Sequence, residues 1–156
     1  MKKNYFLLLL LLIATGAFGQ NAFNTRVEYE TECLGVEEDG SQTVRAWGLG
    51  RGKTDALDQA KKNAVRDVIF KGISKGAKGC NMRPLVTDVN VREEYEDYFN
   101  RFFRDGGPYE QYVSKKDEKL ISRDKAKDRM GMRIGVTLRV LRSELKARLK
   151  RDGIIK

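Results

Sequence analysis

Apolar and polar positions along this chain alternate, switch to helical spacing, and then alternate again. From Arg26 to Leu34, Val27, Tyr29, Thr31 and Cys33 are interleaved with Glu28, Glu30 and Glu32, the period-two pattern of a half-buried strand. Glu37 to Gly40 is polar and ends in the Asp39-Gly40 pair that favours a tight hairpin, so a second strand is predicted from Gln42 to Trp47. Ala56, Ala60, Ala64 and Val68 then recur at i+4 beside Leu57, Val65 and Ile69, which predicts a long amphipathic helix stopped at Gly72. Thr54 is placed to cap its first turn, Asp55 and Asp58 lie near the positive end of its dipole, and Asp58 and Lys62 are spaced as an i,i+4 pair. Between strand and helix, Gly48, Gly50 and Gly52 read as a turn whose backbone takes φ > 0.

Ile73 to Pro84 holds Gly76, Gly79 and Cys80 and few apolar residues, and reads as a loop. Val91, Tyr95, Tyr98, Phe99, Phe102 and Phe103 fall on one face of a second helix, started by Asp88 or Asn90 and followed by Gly106 and Gly107. Its acidic residues come early and Arg101 and Arg104 late, the order the helix dipole favours. The rings suit packing onto a sheet; Tyr95, Tyr98 and Phe102 would also suit stacking on a sugar or a base. Tyr112 to Ile121 is an extended, charged segment, Asp124 to Asp128 a polar turn, and Met132, Ile134, Val136, Leu138 and Val140 alternate without a break. Ser143 can cap a last helix with Leu141, Leu145 and Leu149 four apart, ended by Gly153. The order ββααββα predicts an α+β domain: an antiparallel sheet of two hairpins with helices packed mainly on one face.

The first residues follow a different logic. Lys2 and Lys3 precede an apolar run from Phe6 to Phe18, and Ala17 and Gly19 are small residues where a signal peptidase reads. Residues 1–19 are therefore expected to be a signal peptide and 20–156 one exported domain, periplasmic or secreted. The run is shorter than the ~20 residues that span a bilayer, which argues against an uncleaved anchor and leaves no transmembrane segment after cleavage. The first cysteine after the cut is Cys33, which argues against a lipid-anchored form. Cys33 and Cys80, the two cysteines of an exported chain, are expected to form a disulfide.

Charge and chemistry narrow the function. The chain carries 31 Lys and Arg against 22 Asp and Glu, a net +9, in blocks of alternating sign. Lys115, Lys116, Lys119, Arg142, Lys146, Lys150 and Arg151 make a candidate surface for anionic lipid or glycan; a solvated, solubilising surface is the plainer reading. With no histidine anywhere, His-dependent triads and the commonest metal ligand are absent, and the two cysteines are too far apart for a Cys-x-x-Cys redox site. No cofactor, metal site or catalytic residue is expected. The Gly48-Leu49-Gly50-Arg51-Gly52 segment could hold phosphate on its amides, but its spacing is not that of the dinucleotide fingerprint, so a structural turn is preferred. Basic runs without interleaved aromatics do not suggest nucleic acid.

The strand, the Gly48-x-Gly50 turn and the Ala56, Ala60, Ala64 helix, followed by a hairpin and a leucine-spaced helix, resemble the small envelope domain shared by LPP-type lipoproteins and the N-terminal domain of flagellar assembly protein T. That resemblance implies an α+β envelope domain used in assembly or interaction, without catalytic residues. The expected function is an exported, non-catalytic interaction module of the cell envelope with a protein partner. The alternative is a binder of anionic lipid or glycan through its basic surface.

Overall fold

The structure, a computed structural model, describes residues 29–128 and 131–156. The expected signal peptide and the Arg26 to Glu28 part of the first predicted strand lie outside the described residues. Thr31–Lys156 forms one compact unit. It is an α+β domain with strands β1 (Glu32–Val36), β2 (Gln42–Gly50), β3 (Lys75–Gly76), β4 (Val113–Asp128) and β5 (Gly131–Val140) in the order β3-β1-β2-β5-β4. Its helices are α1 (Lys53–Arg66), extended by a π-helical turn over Asp67–Lys71, then α2 (Val91–Glu94), α3 (Glu96–Phe102) and α4 (Arg142–Arg151), with a 3-10 turn over Pro108–Tyr112.

Two antiparallel hairpins, β1–β2 and β4–β5, meet along the antiparallel β2–β5 pair, where Val44 faces Leu138 and Ala46 faces Val136. The strict alternation of β5 turns Ile134, Val136, Leu138 and Val140 to the core, and all four are fully buried. The helices cover this face, and Ala60, Ala64, Leu145 and Leu149 belong to the same apolar cluster. On the other face Thr43, Arg45, Trp47, Thr137 and Arg139 stay half-exposed, with Arg45 paired to Glu32 at 3.4 Å and Arg139 to Glu37 at 3.9 Å. Sheet and helices thus form two layers around one core, as the alternation and the i+4 spacing require.

The glycine segment is not a turn. Gly48 and Gly50 lie within β2, and neither they nor Gly52 has a positive φ. Their lack of a side chain serves a close approach: a Cβ on Gly48 would stand 2.1 Å from the Ala56 carbonyl oxygen and 2.3 Å from the Ala60 amide nitrogen. A Cβ on Gly50 would stand 2.4 Å from the Ala56 nitrogen. Gly48 and Gly50 with Ala56 and Ala60 therefore let helix backbone rest on strand backbone, fastened by Asn63 Nδ2 donating to the Trp47 carbonyl at 2.9 Å. With Gly48 and Gly50 held in the sheet, no phosphate-cradling loop stands there. Gly52, in extended conformation, is the N-cap of α1; Thr54 lies inside the helix, and Asp55 instead accepts the Arg51 amide at 2.9 Å. Lys62 pairs with Asp105 at 2.5 Å rather than with Asp58, because the turn after α3 brings that carboxylate over α1. Gly72, at φ 76°, ends the helical segment as expected.

Other boundaries move for tertiary reasons. Tyr29 and Glu30 form a turn and a bend, and β1 starts at Glu32, after Thr31 has turned its hydroxyl to Asp67 at 2.5 Å. The loop after α1 contains β3, which pairs parallel with Glu32 and Cys33, so the sheet has one parallel edge. The second helix is broken at Tyr95 into α2 and α3. The polar segment Asp124–Asp128 belongs to β4, because its backbone pairs with β5 down to Asp128 and Gly131, and an edge strand tolerates charge. Ser143 is the second residue of α4 rather than its cap, which is Leu141.

Candidate functional site

Cys33 and Cys80 are joined, with their Cα atoms 6.3 Å apart. The bond links β1 to the loop after β3. It sits beside a buried polar junction that was not legible in advance: Gln42 Nε2 donates to the Asn81 carbonyl at 3.0 Å, Arg142 donates to Gln42 Oε1 at 3.4 Å, and Arg142 also donates to the Arg83 carbonyl at 2.7 Å. Burial lowers the pKa of the Arg142 guanidinium. Arg142 therefore ties α4 to β2 and the loop and is no part of a basic surface, a correction to the expected polyanion patch. Its remaining described members occupy separate places: Lys119 is exposed opposite Thr137 on the sheet face away from the helices, while Lys146, Lys150 and Arg151 are exposed on α4. The side chains of Lys115 and Lys116 lie outside the described residues.

A more concentrated basic site lies between α3 and α4. Tyr98, Arg101 and Phe102 of α3, Arg104 and Pro108 of the turn that follows, and Arg148 of α4 line an open groove of about 290 Å³. Its floor is aromatic, because the rings of Tyr98 and Phe102 stack with centres 6.0 Å apart at 14°. Asp152 stands behind one wall, accepting from the Tyr98 hydroxyl at 2.7 Å and from Arg148 Nε. Burial, with the bond to Asp152, pushes the Tyr98 phenol up to about 12, so it is a fixed donor at neutral pH. Burial pushes the Asp152 carboxyl up, but the bonds from Arg148 and Tyr98 outweigh it and hold the carboxyl below its ordinary value; the same bond raises the pKa of Arg148. Arg101 and Arg104 are exposed and have no ion-pair partner among the described residues.

The aromatic stripe divides between core and groove. Phe99 and Phe102 are buried, Phe99 meets Phe70 edge-on at 4.7 Å, and the Arg66 guanidinium lies 5.1 Å from the centre of Phe103. Arg101 and Arg104 carried a sequence signal of their own, basic residues at i,i+3 on a tyrosine-bearing helix, and Arg148 and Asp152 have i,i+4 spacing. Nothing local shows that the two helix ends converge.

An apolar ledge forms a second feature. Val89 is 86% exposed at the tip of the segment before α2. Two hollows flank this segment, one of about 380 Å³ lined by Phe70, Pro84, Val86 and Val89, the other of about 370 Å³ lined by Leu85, Val86, Val91, Ile154 and Ile155. Among the described residues no helix is long and apolar enough to cross a membrane, and no three Cys, Asp or Glu side chains converge as metal ligands. No family model, curated protein or solved structure matches this chain.

Proposed function

We propose that this chain is an exported, non-catalytic interaction module of the cell envelope, periplasmic or secreted, that binds another envelope protein through the ledge around Val89. The exposure of that valine beside two hollows of mixed lining, in which Phe70, Pro84, Leu85 and Ile155 are rimmed by Asp88, Arg92, Lys146 and Lys156, carries the reading, since an apolar patch with a polar rim marks an interaction surface. Export is supported by the basic and apolar start of the chain and by the Cys33 to Cys80 disulfide, a bond that persists in oxidising compartments. The resemblance to the LPP-type envelope domain and to the N-terminal domain of flagellar assembly protein T belongs to the same proposal. The non-catalytic reading rests on the absence of histidine from the sequence, which removes the commonest acid-base group at neutral pH.

A photocrosslinker placed at Val89 in the native envelope tests this. One envelope protein should be captured, and Val89→Asp, at an exposed position that leaves folding intact, should abolish co-purification of that protein. Capture should change little with ionic strength, as expected for an apolar anchor, and should survive Lys150→Glu with Arg151→Glu, neither of which lines the hollows. If nothing is captured, and the domain instead binds anionic vesicles or glycan in a way that these two Glu substitutions remove, the anionic-surface reading replaces this one.

A further inference from the structure

We infer that the groove between α3 and α4 is a binding site for a phosphate monoester, held by Arg101, Arg104 and Arg148 with its organic part against the half-exposed Tyr98 ring. Charge decides the class of ligand. No lining residue is acidic, and Asp152, the residue that caps α4, is already taken up by Arg148 and Tyr98. Asp105, next in sequence to Arg104, is engaged by Lys62 at 2.5 Å and so does not neutralise it. Arg101 and Arg104 thus leave two positive charges uncompensated, which a phosphomonoester dianion matches. Arg148 is bonded through Nε to Asp152 and lines the groove from α4.

Geometry supports the same assignment. Three arginines, from two helices and a turn, line one groove, and the planar fork of a guanidinium suits bidentate contact with phosphate. The Tyr98–Asp152–Arg148 network fixes one wall in advance, so only the two exposed arginines have to order on binding. About 290 Å³ is at the small end of ligand sites and admits a phosphate with a ring-sized substituent. Placing Arg101 in the last turn of α3 also suits its dipole, yet α3 has only seven residues, and a dipole effect does not account for Arg104 in the turn beyond it or for Arg148 lining the groove from another helix. The site is separate from the Val89 ledge and does not depend on the protein-partner reading.

Phenyl phosphate, titrated into the uniformly labelled domain and followed by amide and arginine Nε NMR signals, is the test. Saturable shifts confined to Tyr98–Pro108 and Arg148–Asp152 are expected. The double variant Arg101→Gln, Arg104→Gln should weaken binding by about tenfold or more, since two charge-assisted contacts are lost. Lys146→Gln, Lys150→Gln removes the same charge from the exposed side of α4 and should change affinity less than about twofold. Equal losses in the two variants, or shifts that never saturate, overturn the site; phthalate binding as tightly as phenyl phosphate overturns the assignment to phosphate. Co-sedimentation with phosphatidylcholine vesicles, with and without phosphatidic acid, separates the sources. Sedimentation that requires phosphatidic acid and fails in the Arg101, Arg104 variant assigns the site to a lipid headgroup, whereas binding of phenyl phosphate alone assigns it to a soluble ester.

Discussion

Replacing Gly48 by Ala tests the central contact of the fold. The added Cβ would lie 2.1 Å from the Ala56 carbonyl oxygen, 2.3 Å from the Ala60 nitrogen and 2.9 Å from the Gln59 carbonyl carbon. All three are backbone atoms, so no rotamer change relieves the clash. Restoring an ordinary contact requires α1 to withdraw by about 1 Å, and α1 carries the fully buried Ala56, Ala60, Ala64 and Val65. Overpacking of this kind costs about 3 kcal/mol. At about 4 °C per kcal/mol for a domain of this size, Tm should fall by about 12 °C, as read by thermal unfolding followed by circular dichroism. Gly50→Ala should behave similarly, with a Cβ 2.4 Å from the Ala56 nitrogen. Gly52→Ala is the control, because nothing lies within 4 Å of its Cβ and its φ is −146°. If all three substitutions cost the same, the glycines are needed for backbone conformation and the close-approach account is wrong; a Gly48→Ala change below about 2 °C would refute it as well.

Reduction of the Cys33 to Cys80 disulfide, whose cysteines are 47 positions apart, should lower stability by about 4 kcal/mol on the chain-entropy model, measured by urea unfolding with and without reductant. Arg142→Leu should cost about 2 kcal/mol in the same assay, because the Arg83 carbonyl and the Gln42 side chain lose their buried donor, whereas Lys146→Leu on the exposed side of α4 should cost almost nothing. The lowered folded pKa of Asp152 means that its contribution to stability is complete above the unfolded value, near pH 4, and disappears as pH falls through the folded value. Asp152→Asn should therefore flatten the acid limb of the stability curve, and an unchanged acid limb would show that Asp152 is not coupled to folding.

Much of this architecture could be read from periodicity. Alternation in β5 and i+4 spacing in α1 describe surfaces that must be buried on one side, so element type and inward face follow from local order. Boundaries were less legible. A strand exists only where it has a partner, so β4 continues through charged residues that pair with β5, and β1 begins where Thr31 turns toward Asp67. The groove was legible in part, since Arg101 and Arg104 are recognisable as an i,i+3 pair, but their convergence with Arg148 depends on how α3 and α4 meet on the core.

By itself, the order of residues determined an α+β domain with an alanine-striped amphipathic helix, and it supplied two cysteines able to join. Gly48 and Gly50 show why it went no further: glycine answers equally to a positive φ and to a neighbour too close for a Cβ, and only packing distinguishes the two. Arg142 makes the same point for charge. A guanidinium on a lysine-rich helix looks solvent-facing in one dimension, yet tertiary structure brings the Arg83 carbonyl and Gln42 to it and draws it into the interior. Tertiary structure alone decided which basic residues meet, because helical spacing sets the face on which a charge lies but not what another helix, far along the chain, places opposite it.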